Sequence, residues 1–376
     1  MRLIRQKKNL LLAFIWCIPF ALVLGFYFSK SIDLYRFFKS DVPHYSLSLF
    51  ENNPRYGYKL ISRSSGLYYQ ARDRVIPVYT NLLGHRITAN IFYDTLSPFS
   101  RIKLVFAGDS YTFGEGCVAD STFVFNADRD ISSIENLGTG GYGYVQMIES
   151  LKEFLPDHTN TNQIVFQISP WLGERCCRKY LDAGIIKVPV PYLYFADTDL
   201  DLHSPIYSSS LFAPTINSQL MSFRNSPASY TDFLSYLRHV AIPLYVNEGC
   251  HELSALVSSY PPPISQKEQA EIWALNELYK LRLKYKVDVY LLVIGYGAKE
   301  DPQYQNKYQS LIENYSFRLI NADSVLWNAP GINGDLSRYE NTFMHWNSEH
   351  TLVIDRHPNT KSHSLISKAI NEMINK

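Results

Sequence analysis

Two short segments of this chain carry residue types that together could move an acyl group. In "FAGDSYTFGEG", Gly108, Asp109 and Ser110 end a short apolar run, and Gly114 and Gly116 follow the serine. A serine at the junction of a buried strand and a helix sits on a tight turn with helix amides beneath its hydroxyl, which favours developing negative charge. In "IDRHPN", Asp355 and His357 stand just ahead of the last helical pattern. A nucleophilic serine needs an imidazole to take its proton and a carboxylate to fix the tautomer and stabilise the imidazolium. Taken singly, each has an ordinary reading: Ser110 as a helix N-cap, Asp355 as a turn former, His357 as a solvated loop residue. Their joint occurrence is what points to nucleophilic catalysis. Two phosphate-binding alternatives fail, because no Gly-Lys-Ser/Thr follows the turn and G-x-G-x-x-G is absent.

The elements around these segments read as an α/β fold. The run "IKLVFAGDS" predicts a buried strand delivering Ser110 into a loop, followed by a helix. A second short strand ends in glycines at "IENLGTGGYG", "VQMIESLKEFL" has helical spacing, and "QIVFQIS" is a third apolar strand. Strands alternating with helices predict a parallel sheet covered on both faces. The segment 170–263, rich in Tyr, Ser, Pro and Asp, breaks the rhythm and reads as an insertion or lid. The rhythm returns with a helix whose Ile272, Leu275, Leu278 and Leu281 recur at helical spacing. The strands "VDVYLLVIG" and "FRLINA" and a terminal helix from about Ser362 complete the pattern. Residues 29–100 show no strong period and read as a stalk and short leading subdomain.

Residues 10–28 form 19 uncharged, almost wholly apolar positions, close to the roughly 20 that a membrane-crossing helix needs. Arg2, Arg5, Lys7 and Lys8 precede them with no acid, so the positive-inside rule keeps 1–9 in the cytoplasm and sends the rest outward, to the periplasm. A cleaved signal peptide is the rival reading, but the run is long for one and residues 25–31 offer no small-x-small site. Cys117, Cys176, Cys177 and Cys250 would then lie where disulfides are permitted. A net charge of +1 removes the broad electrostatic case for nucleic acid. His345, His350 and His363 crowd the C-terminal region, yet "MHWNSEH" lacks H-E-x-x-H and no ligand series accompanies it, so neither a metal nor another cofactor is expected. His345 is a fallback base if His357 points away.

The blocks "GDSYTFGEG", "NLGTGGYG" and "DRHPN" resemble, in order and spacing, the first, second and fifth sequence blocks of SGNH/GDSL hydrolases, over residues 101–376. The upstream "TNLLGHR" is similar to a lead-in found before the nucleophile block in bacterial envelope members. The resemblance implies a flavodoxin-like three-layer αβα sandwich and an acyl-enzyme. Ser110 would be nucleophile, His357 general base and then acid, and Asp355 its orienting carboxylate. The amides of Ser110 and Gly141 would supply two oxyanion donors. The family's block-three asparagine has no counterpart in "QISPWLGER", which leaves the oxyanion hole one donor short unless Gln167, Ser169 or a group from the insertion substitutes. An anchored member of this kind implies an esterase or O-acyltransferase acting on acyl esters, acetyl esters first among them, of an envelope glycan or lipid, with an envelope acyltransferase as a candidate partner. The alternative is a catalytically weak module that binds glycan or supports such a complex.

Overall fold

The computed structural model describes residues 44–45, 49–71, 74–93, 102–127, 131–183, 186–196, 199–205, 264–295, 309–310, 312–332, 334–347 and 349–375, with 25 and 32 in isolation. The expected anchor at 10–28, save residue 25, and the greater part of the insertion, 206–263, lie outside the described residues. Among the described residues no helix is long and apolar enough to cross a membrane.

Five strands form a parallel sheet: β1 (Leu104–Ala107), β2 (Ile134–Asn136), β3 (Gln163–Ile168), β4 (Asp288–Val293) and β5 (Arg318–Asn321). Their order is β2-β1-β3-β4-β5. This is the arrangement of flavodoxin-like doubly wound folds, in which ligands bind where the order reverses, beyond the carboxyl end of the first strand. Near-continuous apolar strands such as "LVFA" and "DVYLLV" suit a parallel sheet because both of their faces are buried.

Alternate residues feed two cores. Val105, Ile164, Phe166 and Leu291 join one cluster, whereas Leu104, Phe106, Val165 and Leu292 join the other. Each fully buried Leu, Val or Phe contributes roughly 1.5–3 kcal/mol. Along this part of the chain run helices α1 (Ser110–Phe113), α2 (Tyr144–Phe154), α3 (Leu172–Cys176), α4 (Ile264–Tyr285), α5 (Ala322–Trp327), α6 (Leu336–Phe343) and α7 (Thr360–Ile374). The first cluster is covered by α2 and α4, the second by α7 through Ile366 and Ile370. The buried stripe of α4 is Ala270, Ala274, Leu275, Leu278 and Leu281, and Ile272 stands outside it at 39% exposure. The expected stripe therefore holds from Leu275 onward, with the buried Ala270 and Ala274 extending it toward the N-terminal end. The terminal helix starts at Thr360 because the Asn359 side chain accepts from the amides of Lys361 and Ser362.

The leading segment is more ordered than its sequence suggests. Phe50–Asn53 and Gly57–Leu60 form a hairpin, and Ser65–Ala71, Arg74–Thr80, Arg86–Ile87 and His44–Tyr45 form an antiparallel sheet. Leu49, Tyr58, Leu60, Tyr68 and Val78 lie in the same core cluster as one face of the central sheet. This segment thus forms a wall of the domain.

Candidate active site

Strand β1 ends at Ala107, and Ser110 opens the short helix α1 (Ser110–Phe113). The turn between them is held by Asp109, a fully buried carboxylate that accepts four hydrogen bonds. Its Oδ1 accepts from Tyr111 N at 3.0 Å and Gln167 Nε2 at 2.7 Å, and its Oδ2 from Trp171 Nε1 at 2.6 Å and Arg175 Nη1 at 2.8 Å. With every lone pair engaged, Asp109 is a structural anchor for the nucleophile's backbone. Gln167 completes the clamp by accepting from Asp109 N at 3.1 Å and Thr112 Oγ1 at 2.7 Å. Glycine at 108 makes room for this: a Cβ there would stand 2.0 Å from Thr112 Oγ1 and 2.4 Å from Gln167 Oε1. Gly108→Ala is therefore expected to cost about 1–3 kcal/mol in urea unfolding, with a matching loss of activity. Wild-type stability in that variant would show that the clamp is not tight.

The base is carried by the loop ahead of the terminal helix. His357 Nδ1 lies 2.6 Å from Asp355 Oδ1, and the same oxygen accepts from His357 N at 3.0 Å. Asp355 Oδ2 accepts from the hydroxyl of Tyr68 at 3.0 Å, so the leading subdomain helps to fix the acid. The imidazole packs against the nucleophile segment, with its centroid 5.3 Å from that of Tyr111. Its Nε2, however, lies 2.7 Å from Glu115 Oε2, not on the serine. Among the described residues no hydrogen bond reaches Ser110 Oγ. The fold thus brings Asp355 and His357 to the Ser110 segment and joins the first two directly, while the link to the serine runs through Glu115. Both ring nitrogens face carboxylates, an arrangement that favours the protonated ring. Burial works to lower the His357 pKa, but Glu115 and Asp355 outweigh it and hold it well above the ordinary histidine value.

The amides of Ser110 and Gly141 make no backbone hydrogen bond among the described residues, which leaves both available to an anion. Gly141 requires glycine, since its φ is +84° and a Cβ would meet Tyr58 Oη and Leu181 Cδ2 at 2.6 Å each. Of the groups expected as third donor, Gln167 and Ser169 do not serve, which leaves the segment read as the insertion. Gln167 is fully used by the Asp109 clamp, and Ser169 Oγ donates to Ile294 O at 2.7 Å while accepting from Gln167. Each is locked by a neighbour that sequence could not reveal. Arg175 instead lines a cavity of about 250 Å³ beside Gly141, together with Trp171, Tyr180 and Leu181. Its Nη1 binds Asp109 and Tyr142 O, and among the described residues its other nitrogens bind no protein acceptor.

The remaining histidines are placed by packing. His345 is buried, with Nε2 3.3 Å from Pro358 O, and burial lowers its pKa. His363 lies within α7, not in a loop, accepts from Phe123 N at 3.2 Å, and burial pushes its pKa down to about 3. His350 stacks on Trp346. Cys117, Cys176 and Cys177 are free thiols, each with a pKa raised by burial, and Cys250 lies outside the described residues. Glu115, Tyr68, Arg175 and Arg86 are the site-building residues that motif reading missed. Of these, Arg86 in "TNLLGHR", Glu115 in "FGEG" and Arg175 in "QISPWLGER" lay within segments already singled out, while Tyr68 did not.

No protein-family model and no curated protein matches the chain. Among solved structures it is similar to a lipolytic protein of the G-D-S-L family from Veillonella parvula, with a TM-score of 0.36 and 10% identity over 73% of this chain and 99% of that one. A G-D-S-L family protein from Desulfitobacterium hafniense gives a TM-score of 0.35 and 10% identity over 72% and 99% of the two chains. TesA gives 0.34 and 10% over 72% and 97%.

Proposed function

We propose that this chain is an SGNH-type serine hydrolase or O-acyltransferase, membrane-anchored through 10–28, that acts on acyl esters of an envelope glycan or lipid. One observation carries the reading: the Asp355–His357 pair packs on the segment that presents Ser110, whose own amide makes no backbone hydrogen bond among the described residues. Ser110 Oγ attacks the acyl carbon while His357 Nε2 takes its proton. The amides of Ser110 and Gly141, with Arg175 as third donor, hold the oxyanion. The bond to the alcohol then breaks as Nε2 returns the proton to the leaving oxygen, giving an acyl-serine. Water resolves it in an esterase and a sugar hydroxyl in a transferase, the difference resting on how well the site excludes water. The motif resemblance and the anchor-like N-terminus support an extracytoplasmic envelope substrate.

The test is a serine-directed fluorophosphonate applied to the full-length chain in detergent. Peptide mapping is expected to place the adduct on Ser110 and to find none in Ser110→Ala. Absence of labelling, or labelling at another serine that survives Ser110→Ala, overturns the proposal.

A further inference from the structure

His357 is gripped at both nitrogens. Asp355 at Nδ1 belongs to the proposed triad, but Glu115 at Nε2 has no place in it. Glu115 sits in the glycine turn that closes α1: its amide donates to Ser110 O at 3.0 Å, and its side chain is only 10% exposed. A buried carboxylate needs a compensating partner, and here the partner is the nitrogen that a serine proton would have to reach. Resting on the proposed serine chemistry, we propose that Glu115 is a positioning residue that holds the substrate-free site shut by occupying His357 Nε2, so that the base is freed only when this nitrogen is surrendered.

In the closed arrangement Nε2 carries a proton and has no lone pair for the serine. Opening it takes one proton from Nε2 to solvent while the Glu115 carboxylate turns away. The exposed lone pair then accepts the Ser110 proton as the Oγ–acyl bond forms, and the leaving alcohol carries that proton off.

The other groups around His357 do not duplicate this effect. His345, from the neighbouring strand, and His363, from α7, are kept neutral by burial. Tyr111 offers its ring, Tyr68 acts through Asp355, and the Cys117 thiol stays protonated because burial raises its pKa. Arg356 is largely exposed and faces Glu340, while Arg74 donates to Trp346 O and Arg86 to backbone carbonyls. Asp355 and Glu115 are therefore the two anions that hold the proton.

The experiment compares full-length wild type with Glu115→Gln by NMR titration of selectively labelled histidine and by the pH profile of kcat/KM on a chromogenic acetyl ester. An opposite charge in contact shifts a pKa by about 1–3 units. The His357 midpoint and the acid limb of kcat/KM are expected to fall together by that amount in Glu115→Gln, raising activity at pH 6 about tenfold or more. Glu115→Asp, which keeps the charge, is expected to restore most of the wild-type profile and guards against a folding defect in the glutamine variant. An unchanged His357 midpoint overturns the role of Glu115 whatever the activity. A shifted midpoint with no ester turnover in either protein overturns the serine-hydrolase reading, and with it the gating role.

Discussion

Replacing His357 by glutamine is expected to lower kcat/KM for ester cleavage by about 10³–10⁴-fold, the scale on which a positioned general base contributes to acyl transfer. Glutamine fills much of the same volume and keeps a polar contact for Asp355, so thermal stability should change far less than activity. Ser110→Ala should fall to a similar floor, and Ser110→Ala combined with His357→Gln should be no worse than either alone, because nucleophile and base act as a unit. His345 cannot rescue the variant, since it is buried with its Nε2 directed at Pro358 O. Retention of more than a tenth of wild-type kcat/KM in His357→Gln would show that the serine proton goes elsewhere.

The limits of sequence reading here have a physical pattern. The strands of the sheet were legible because both faces are buried and their composition is almost uniformly apolar. The Ser110 turn and the Asp355–His357 pair were legible because chemistry restricts residue type at short spacing. The leading segment was not, because its strands are half exposed and take their order from packing against the central sheet: Arg74–Thr80 opens on two exposed positions and alternates from Ile76 onward. That Arg175, the last residue of "QISPWLGER", is the candidate oxyanion donor was not legible there, since what matters is which groups Asp109 draws to itself. Trp171 and Arg175 lie 62 and 66 residues from it along the chain. Gln167 had the right chemistry for a donor and a different task. Glu115 is the sharpest case, because its meaning depends on a histidine more than two hundred positions away.

Arg86→Met is expected to destabilise the protein by about 3–5 kcal/mol, the largest stability effect that the structure points to outside the sheet core. The Arg86 side chain is buried at 1% exposure. Its Nη1 donates to Phe113 O at 2.6 Å and Gly114 O at 2.7 Å, its Nη2 to Cys117 O at 2.5 Å, and its guanidinium lies 4.5 Å from the Phe113 ring centroid. It thus gathers the carbonyls at the end of α1 and in the following turn, which have no helical partners of their own. Methionine would match the stem and leave Phe113 O and Cys117 O unsatisfied, at about 1–3 kcal/mol each, while Gly114 O keeps its bond from Cys117 N. Arg86→Lys should lose roughly half as much, because an ammonium cannot span the same fork of oxygens. Urea unfolding followed by tryptophan fluorescence measures both, and a loss below about 1 kcal/mol in Arg86→Met would rule this account out. The same carbonyls belong to the turn that carries Glu115, so Arg86→Lys should also loosen the grip on His357 and move the acid limb of activity downward, as Glu115→Gln does but by less. That link gives the "TNLLGHR" segment a mechanical role: an arginine from the leading sheet fixes the loop on which the state of the base depends.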